Sequence, residues 1–266
     1  MASFSKIIKH IPISCVKLIE VRCKNAFVRS RLPGADWVVN QYVGCGFGCP
    51  YCYAKFMCRF RSHGVWGTWV EAKINAHELV MKKVPGEVLM SSVSDPYQPV
   101  ETKMQLTRRV LENMDKSNRL TILTKSPLVL RDVDVLKEFN HVEVGLTING
   151  FSGADRIFEP RTPSHRSRVA ALKRLHEEGI KNYAFISPII PGVVDVERLV
   201  SETQDFVDYY WMEMLNIRAA GAYFRRLVKD RHPEALELFV GDKLGSFVKE
   251  VRKSIYGVRV RGIVYH

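Results

Sequence analysis

The sequence predicts an α/β fold built on parallel strands, and three observations carry that expectation. Strand-like and helix-like segments alternate, giving six strand-then-helix units between Trp37 and about Lys229. Most of the strand segments are near-continuous apolar runs, as expected when both faces of a sheet are buried. Polar residues collect just after the strands, where ligands gather in folds of this class. Six units suit an open, partial version of the eight-unit barrel, and an open doubly wound sheet is the alternative.

Residues 1–36 read as an irregular or short-stranded lead-in ending in the turn signal Leu32-Pro33-Gly34-Ala35-Asp36. Trp37–Tyr42 reads as the first strand. Trp69–Lys83 carries apolar Val70, Ile74 and Met81 with His77, which predicts an amphipathic helix stopped by Pro85-Gly86. Strands are expected at Glu87–Val93, Arg119–Thr124, His141–Ile148, Lys181–Ile190 and Trp211–Ile217, and helices at Thr102–Lys116, Leu128–Phe139, Pro163–Glu178 and Val196–Tyr209. Ser164 is placed to cap the third of these helices, and Gly179 follows its end. Helical material follows from Ala219 to about Lys253, and Val258–Val264 reads as a terminal strand. The expected organisation is a lead-in (1–36), a core (37–229) and a C-terminal extension packed on the core (230–266).

Composition narrows the function classes. The chain has 266 residues, 46% of them hydrophobic, with no apolar run near the ~20 residues of a membrane span. Lys6, Lys9, His10 and Pro12 interrupt the N-terminal apolar residues, which argues against a secretory signal. Six cysteines in that setting predict a reducing cytoplasm, where clustered thiols mean metal or catalysis more than disulfides. Cys15, Cys23 and Cys58 stand outside the cluster and read as small buried or surface residues. The net charge of +12 favours an anionic partner, with nucleic acid the usual one, or else a solvated basic surface.

The chemistry concentrates in Asn40–Ala54. Cys45, Cys49 and Cys52 are spaced C-x3-C-x2-C, punctuated by Gly44, Gly46, Gly48 and Pro50. Glycines permit φ > 0 and proline removes a donor, so this is a tight loop able to aim three sulfurs at one point. Thiolates select iron–sulfur clusters or zinc. A zinc knot completed by Cys58 or His63 fits the spacing. A [4Fe–4S] cluster held by three cysteines leaves one iron open.

C-x3-C-x-aromatic-C, with Tyr51 as the aromatic, resembles the cluster loop of the radical S-adenosylmethionine (SAM) enzymes. The longer N-x-Y-x-G-C-x3-C-x-Y-C-Y-A resembles the branch related to spore photoproduct lyase. The resemblance covers about residues 37–218 and implies a (β/α)6 partial barrel. It also implies a [4Fe–4S] cluster on Cys45, Cys49 and Cys52, SAM on the open iron, and a reductase or ferredoxin-type electron donor. By position it assigns Ser94 and Asp95 to the methionyl part of SAM, and Lys125 and Thr147 to its carboxylate or ribose. Tyr51 and the segment from Ser187 to Gly192 are assigned to adenine, Glu159 and Arg161 of E-P-x-x-P-S to the site, and Tyr53 to the radical path. The lyases carry a hydrogen-donating cysteine two residues before the S-D pair; this chain has Ser92 there, so another thiol, such as Cys58, would have to substitute. The expected function is reductive SAM cleavage and hydrogen abstraction from a substrate, with a nucleic-acid base prompted by the charge. The rival readings are a non-catalytic zinc- or Fe–S-stabilised nucleic-acid-binding protein and an electron carrier with a fourth cluster ligand.

Overall fold

The computed structural model describes residues 16–239 and 243–265, so Cys15 lies outside the described residues. The lead-in contributes β1 (Lys17–Val21) and β2 (Phe27–Arg29), and β3 (Trp37–Val39) opens the core. The short β4 (Tyr42–Val43) then runs into the cysteine loop.

The expected helix over Trp69–Lys83 does not form. Trp69–Lys73 is a strand, β5, pairing parallel with β1 and antiparallel with β4. Only a short 3-10 turn, Ala76–Leu79, follows it. The segment's opening aromatic and β-branched residues fit a pleated surface. The apolar stripe was also incomplete, since Met81 is 67% exposed.

The other strands fall where the sequence places them: β6 (Glu87–Met90), β7 (Arg119–Thr124), β8 (His141–Ile148), β9 (Asn182–Ile189) and β10 (Tyr209–Met214). The helices are more broken than expected. Thr102–Lys116 splits into α1 (Glu101–Met104) and α2 (Leu106–Asn113) at Gln105, whose φ is +47°. The buried Glu101 carboxylate causes the break, because it accepts from Thr107 N at 3.0 Å and caps α2 from inside. Leu128–Phe139 starts as a 3-10 turn behind Pro127 and becomes α-helical only over α3 (Val133–Leu136). α4 (His165–Glu177) is capped by Ser164 as expected, through Ser167 N at 3.2 Å. α5 (Val196–Ser201) is shorter than its expected span. Then come α6 (Ile217–Arg231), α7 (Pro233–Glu237), α8 (Lys243–Ser254) and β11 (Val260–Val264).

The main sheet has the order β11-β10-β9-β8-β7-β6-β3-β2, parallel throughout except for the β2–β3 pair. From β3 to β10 each crossover steps one place in the same direction. A doubly wound sheet reverses that direction at a switch point. The constant direction therefore gives the partial (β/α)6 barrel. The C-terminal ends of β3 and β6–β10 share one mouth. Among the described residues, no helix is long and apolar enough to cross a membrane.

Candidate active site

The cysteine loop is shaped by its glycines and held by one glutamine. Gly44 has φ +85°, and a Cβ there would fall 2.7 Å from Trp69 O. Gln98, fully buried, donates to Gly44 O at 3.0 Å and accepts from Gly46 N at 2.7 Å, clamping the loop on both sides of Cys45. Gly48 N then bonds Cys45 O, and Cys52 N bonds Cys49 O, both at 3.1 Å. Cys45 and Cys49 end up buried and Cys52 half-buried, and the three are electrostatically coupled. Burial, with Asp95 nearby, pushes the Cys45 thiol up to about 12. Burial and Glu159 push Cys49 up, and burial pushes Cys52 up. Thiolates in this place need a cation that offsets their lost hydration.

All three cysteines line a cavity of about 1320 Å³ that runs down the barrel. Tyr51, Tyr53, Ser94 and Asp95 line it too, as do Lys125, Thr147 and Ser187. Cys58 and Arg161 do not. The Cys58 side chain packs with Trp66 and hydrogen-bonds Trp69, so it does not supply the cavity with a substitute thiol.

The wall beside the thiols is organised around Glu159, which is fully buried. Its carboxylate accepts from the Tyr51 hydroxyl, from Asn149 Nδ2 at 2.9 Å, from Thr162 Oγ1 at 3.1 Å and from Arg168. Lys125 Nζ stands 4.0 Å from it and 5.9 Å from the Tyr51 ring centroid. Burial pushes the Glu159 carboxyl up, but Arg168, Lys125 and Tyr51 more than offset this and bring it down to about 2. Arg168 is 1% exposed, so it belongs to this wall and not to a basic surface. It also donates to Thr147 O at 3.0 Å and to Thr162 Oγ1 at 2.7 Å. Sequence reasoning missed this role because the partner of Arg168 is set by the fold.

Asp95 faces the cavity with its oxygens already engaged. It accepts from Thr124 Oγ1 at 2.6 Å, Lys125 N at 2.8 Å and Tyr97 N at 2.9 Å, joining the loops after β6 and β7. Ser94 donates to Tyr42 O at 3.1 Å. Asn40, the first residue of the cysteine-loop motif, accepts from Ser92 N at 2.8 Å. The Tyr53 hydroxyl donates to Ser92 O, and Ser187 Oγ donates to Glu213 at 2.8 Å.

A family model, the radical SAM superfamily, matches residues 39–201. The chain belongs to the radical SAM superfamily. The radical SAM chain is 44% identical over 259 residues to an uncharacterized protein of Methanocaldococcus jannaschii, covering 95% of this chain and 99% of that one. An uncharacterized protein of Acidianus two-tailed virus is 30% identical, with 68% of each chain covered. Among solved structures, a spore photoproduct lyase variant superposes with TM-score 0.64 at 18% identity, covering 99% of this chain and 86% of that one. A lyase with bound SAM and dinucleoside spore photoproduct superposes at 0.63, with 18% identity and 93% and 82% covered. These likenesses establish a shared fold.

Membership makes this a radical SAM enzyme, a class that uses SAM and an iron–sulfur cluster, and the residues present fit such a cluster. Cys45, Cys49 and Cys52 come from one loop and share one cavity wall. Arg161 supplies a second sign of fit. Its Nε and Nη1 are buried without a hydrogen-bond partner, and the charges that act on it are those of Cys45 and Cys49.

Proposed function

We propose that this radical SAM enzyme holds a [4Fe–4S] cluster on Cys45, Cys49 and Cys52 and acts on a nucleic-acid base. The observation that carries the reading is the cavity. Three thiols, a lysine and hydroxyl groups share its wall, and aromatic and cationic side chains stand at its rim. A cluster held by Cys45, Cys49 and Cys52 would supply, once reduced by an external donor, the electron for reductive cleavage of SAM, the chemistry that leads to hydrogen abstraction from a substrate.

The chain's own residues do the rest. Lys125, half-buried and kept charged by Glu159 and Cys49 against the pull of desolvation, offers a point charge for the carboxylate of SAM. Tyr51 is fixed by its bond to Glu159 and by an edge contact to Phe224 at 5.6 Å, which sets its ring as an adenine wall. Phe47, Trp66 and Phe185 add apolar lining that excludes water from a reactive intermediate.

At the rim, Tyr53 is 48% and Phe56 41% exposed, with Arg59 and Arg218 beside them. Exposed rings interleaved with cations suit stacking of a flipped base against a phosphate backbone. The known lyase structures hold a dinucleoside photoproduct in the same fold, which supports this substrate class. Ser92 departs from the lyases, because a serine O–H is too strong to return hydrogen readily. The Tyr53 phenol, bonded to Ser92 O, is the side chain beside that position with a weaker O–H. A cytoplasmic setting with a ferredoxin-type or reductase donor completes the reading.

The test uses anaerobically reconstituted protein with dithionite and SAM. 5′-Deoxyadenosine release is measured with and without single-stranded and thymine-lesion oligonucleotides. The expected result is oligonucleotide-dependent acceleration that weakens as salt rises. Release indifferent to every oligonucleotide contradicts the substrate class.

A further inference from the structure

We propose that Arg161 is a fixed counter-charge to the iron–sulfur cluster and raises its reduction potential; this rests on the cluster assignment above. Its placement sets it apart from every SAM-facing group, since it stands outside the cavity lining, behind the cysteine loop. Two glycines make room for it. A Cβ on Gly48 would lie 1.9 Å from Arg161 Nη2, and one on Gly67 would lie 2.4 Å away. Both glycines have positive φ, +59° and +89°. The guanidinium is thus pressed onto loop backbone between two ligand cysteines, Cys45 and Cys49, with Nε–H and Nη1–H buried and unbonded.

Arg168, seven residues on, shows what a structural buried arginine looks like here. It spends its donors on Glu159, Thr147, Thr162 and Pro163. Arg161 lacks that compensation. Holding an unpaired guanidinium partly out of water is unfavourable, and a net anion arriving beside it relieves the cost. A four-iron cluster on three thiolates is such an anion, and it becomes more negative when an external low-potential reductant adds one electron. A nearby fixed cation stabilises the reduced form more than the oxidised form. Net charge and hydrogen bonds to the sulfurs are recognised controls of cluster potential.

The experiment is an EPR-monitored redox titration of reconstituted wild type, Arg161→Gln and Arg161→Lys. The midpoint does not depend on the fraction of chains loaded, so partial assembly does not obscure it. Arg161→Gln is expected to titrate lower, with at least a tenfold fall in the reduction equilibrium constant, about 59 mV for one electron. Arg161→Lys is expected to stay within about threefold of wild type, as only the charge is retained. A cluster in Arg161→Lys and none in Arg161→Gln also supports the charge requirement. Wild-type potential in Arg161→Gln overturns the proposal, and so does loss of the cluster from both variants while wild type assembles it. Failure of wild type itself to assemble a cluster sinks the underlying assignment instead.

Discussion

The two ends of the barrel cavity solve the same problem in opposite ways. At the N-terminal ends of the strands, Glu143 is surrounded by donors: the Tyr209 hydroxyl, Lys181, and Arg261 at 3.0 Å. Tyr183 stacks on Tyr209 at 5.1 Å, and Arg261 covers Tyr209 from 3.6 Å. Gly145 permits this closure, since a Cβ there would lie 2.2 Å from the Tyr183 ring. At the C-terminal ends, three thiols have their pKa values pushed up by desolvation, and Arg161 has two unbonded N–H groups. The satisfied end seals the barrel. The undersatisfied end is where a ligand of opposite charge is needed.

Four substitutions probe that contrast. The largest effect is expected from Cys49→Ser, which should reduce iron bound after reconstitution to near zero with the chain still folded by circular dichroism. Retention of full iron would move the cluster elsewhere. Next is Glu159→Gln, which leaves Arg168 buried without its counter-charge and should cost roughly 3–5 kcal/mol in urea unfolding.

That variant also has a pH signature. The folded Glu159 carboxyl lies at about 2, below its ordinary 4.5. Its contribution is therefore present above about 4.5 and lost as pH falls towards about 2. Wild-type melting temperature should fall through this window and Glu159→Gln should fall less; parallel profiles would refute the assignment. Gln98→Leu unclamps Gly44 and Gly46, leaving a buried N–H and C=O unpaired, at about 1–3 kcal/mol and with slower cluster uptake. The smallest effect belongs to the sealed end. Glu143 is partly exposed, so Glu143→Gln should cost no more than about 1 kcal/mol.

Much of this architecture was legible before folding. Runs such as Arg119–Thr124 and His141–Ile148 are rich in β-branched and apolar residues, as strands of a parallel sheet covered on both faces are. The cysteine loop was legible because its chemistry and its glycines are local. Trp69–Lys73 was misread because its partners, β1 and β4, lie up to 52 residues away, and such pairing overrides a weak helical period. The role of Arg168 was hidden for the same reason, since nothing local reveals that its partner is Glu159. Gln98 gave no signal, as an amide becomes a clamp only when a loop is brought against it. Cys58 and Arg161 lie close in sequence to site residues, yet both face away from the cavity.

The most direct test of the central claim is the EPR spectrum of the dithionite-reduced, anaerobically reconstituted protein before and after SAM. The expected result is a reduced [4Fe–4S] signal whose line shape changes on SAM addition, with loss of that signal in Cys49→Ser. A stoichiometric zinc protein, or an iron–sulfur signal indifferent to SAM, would contradict it.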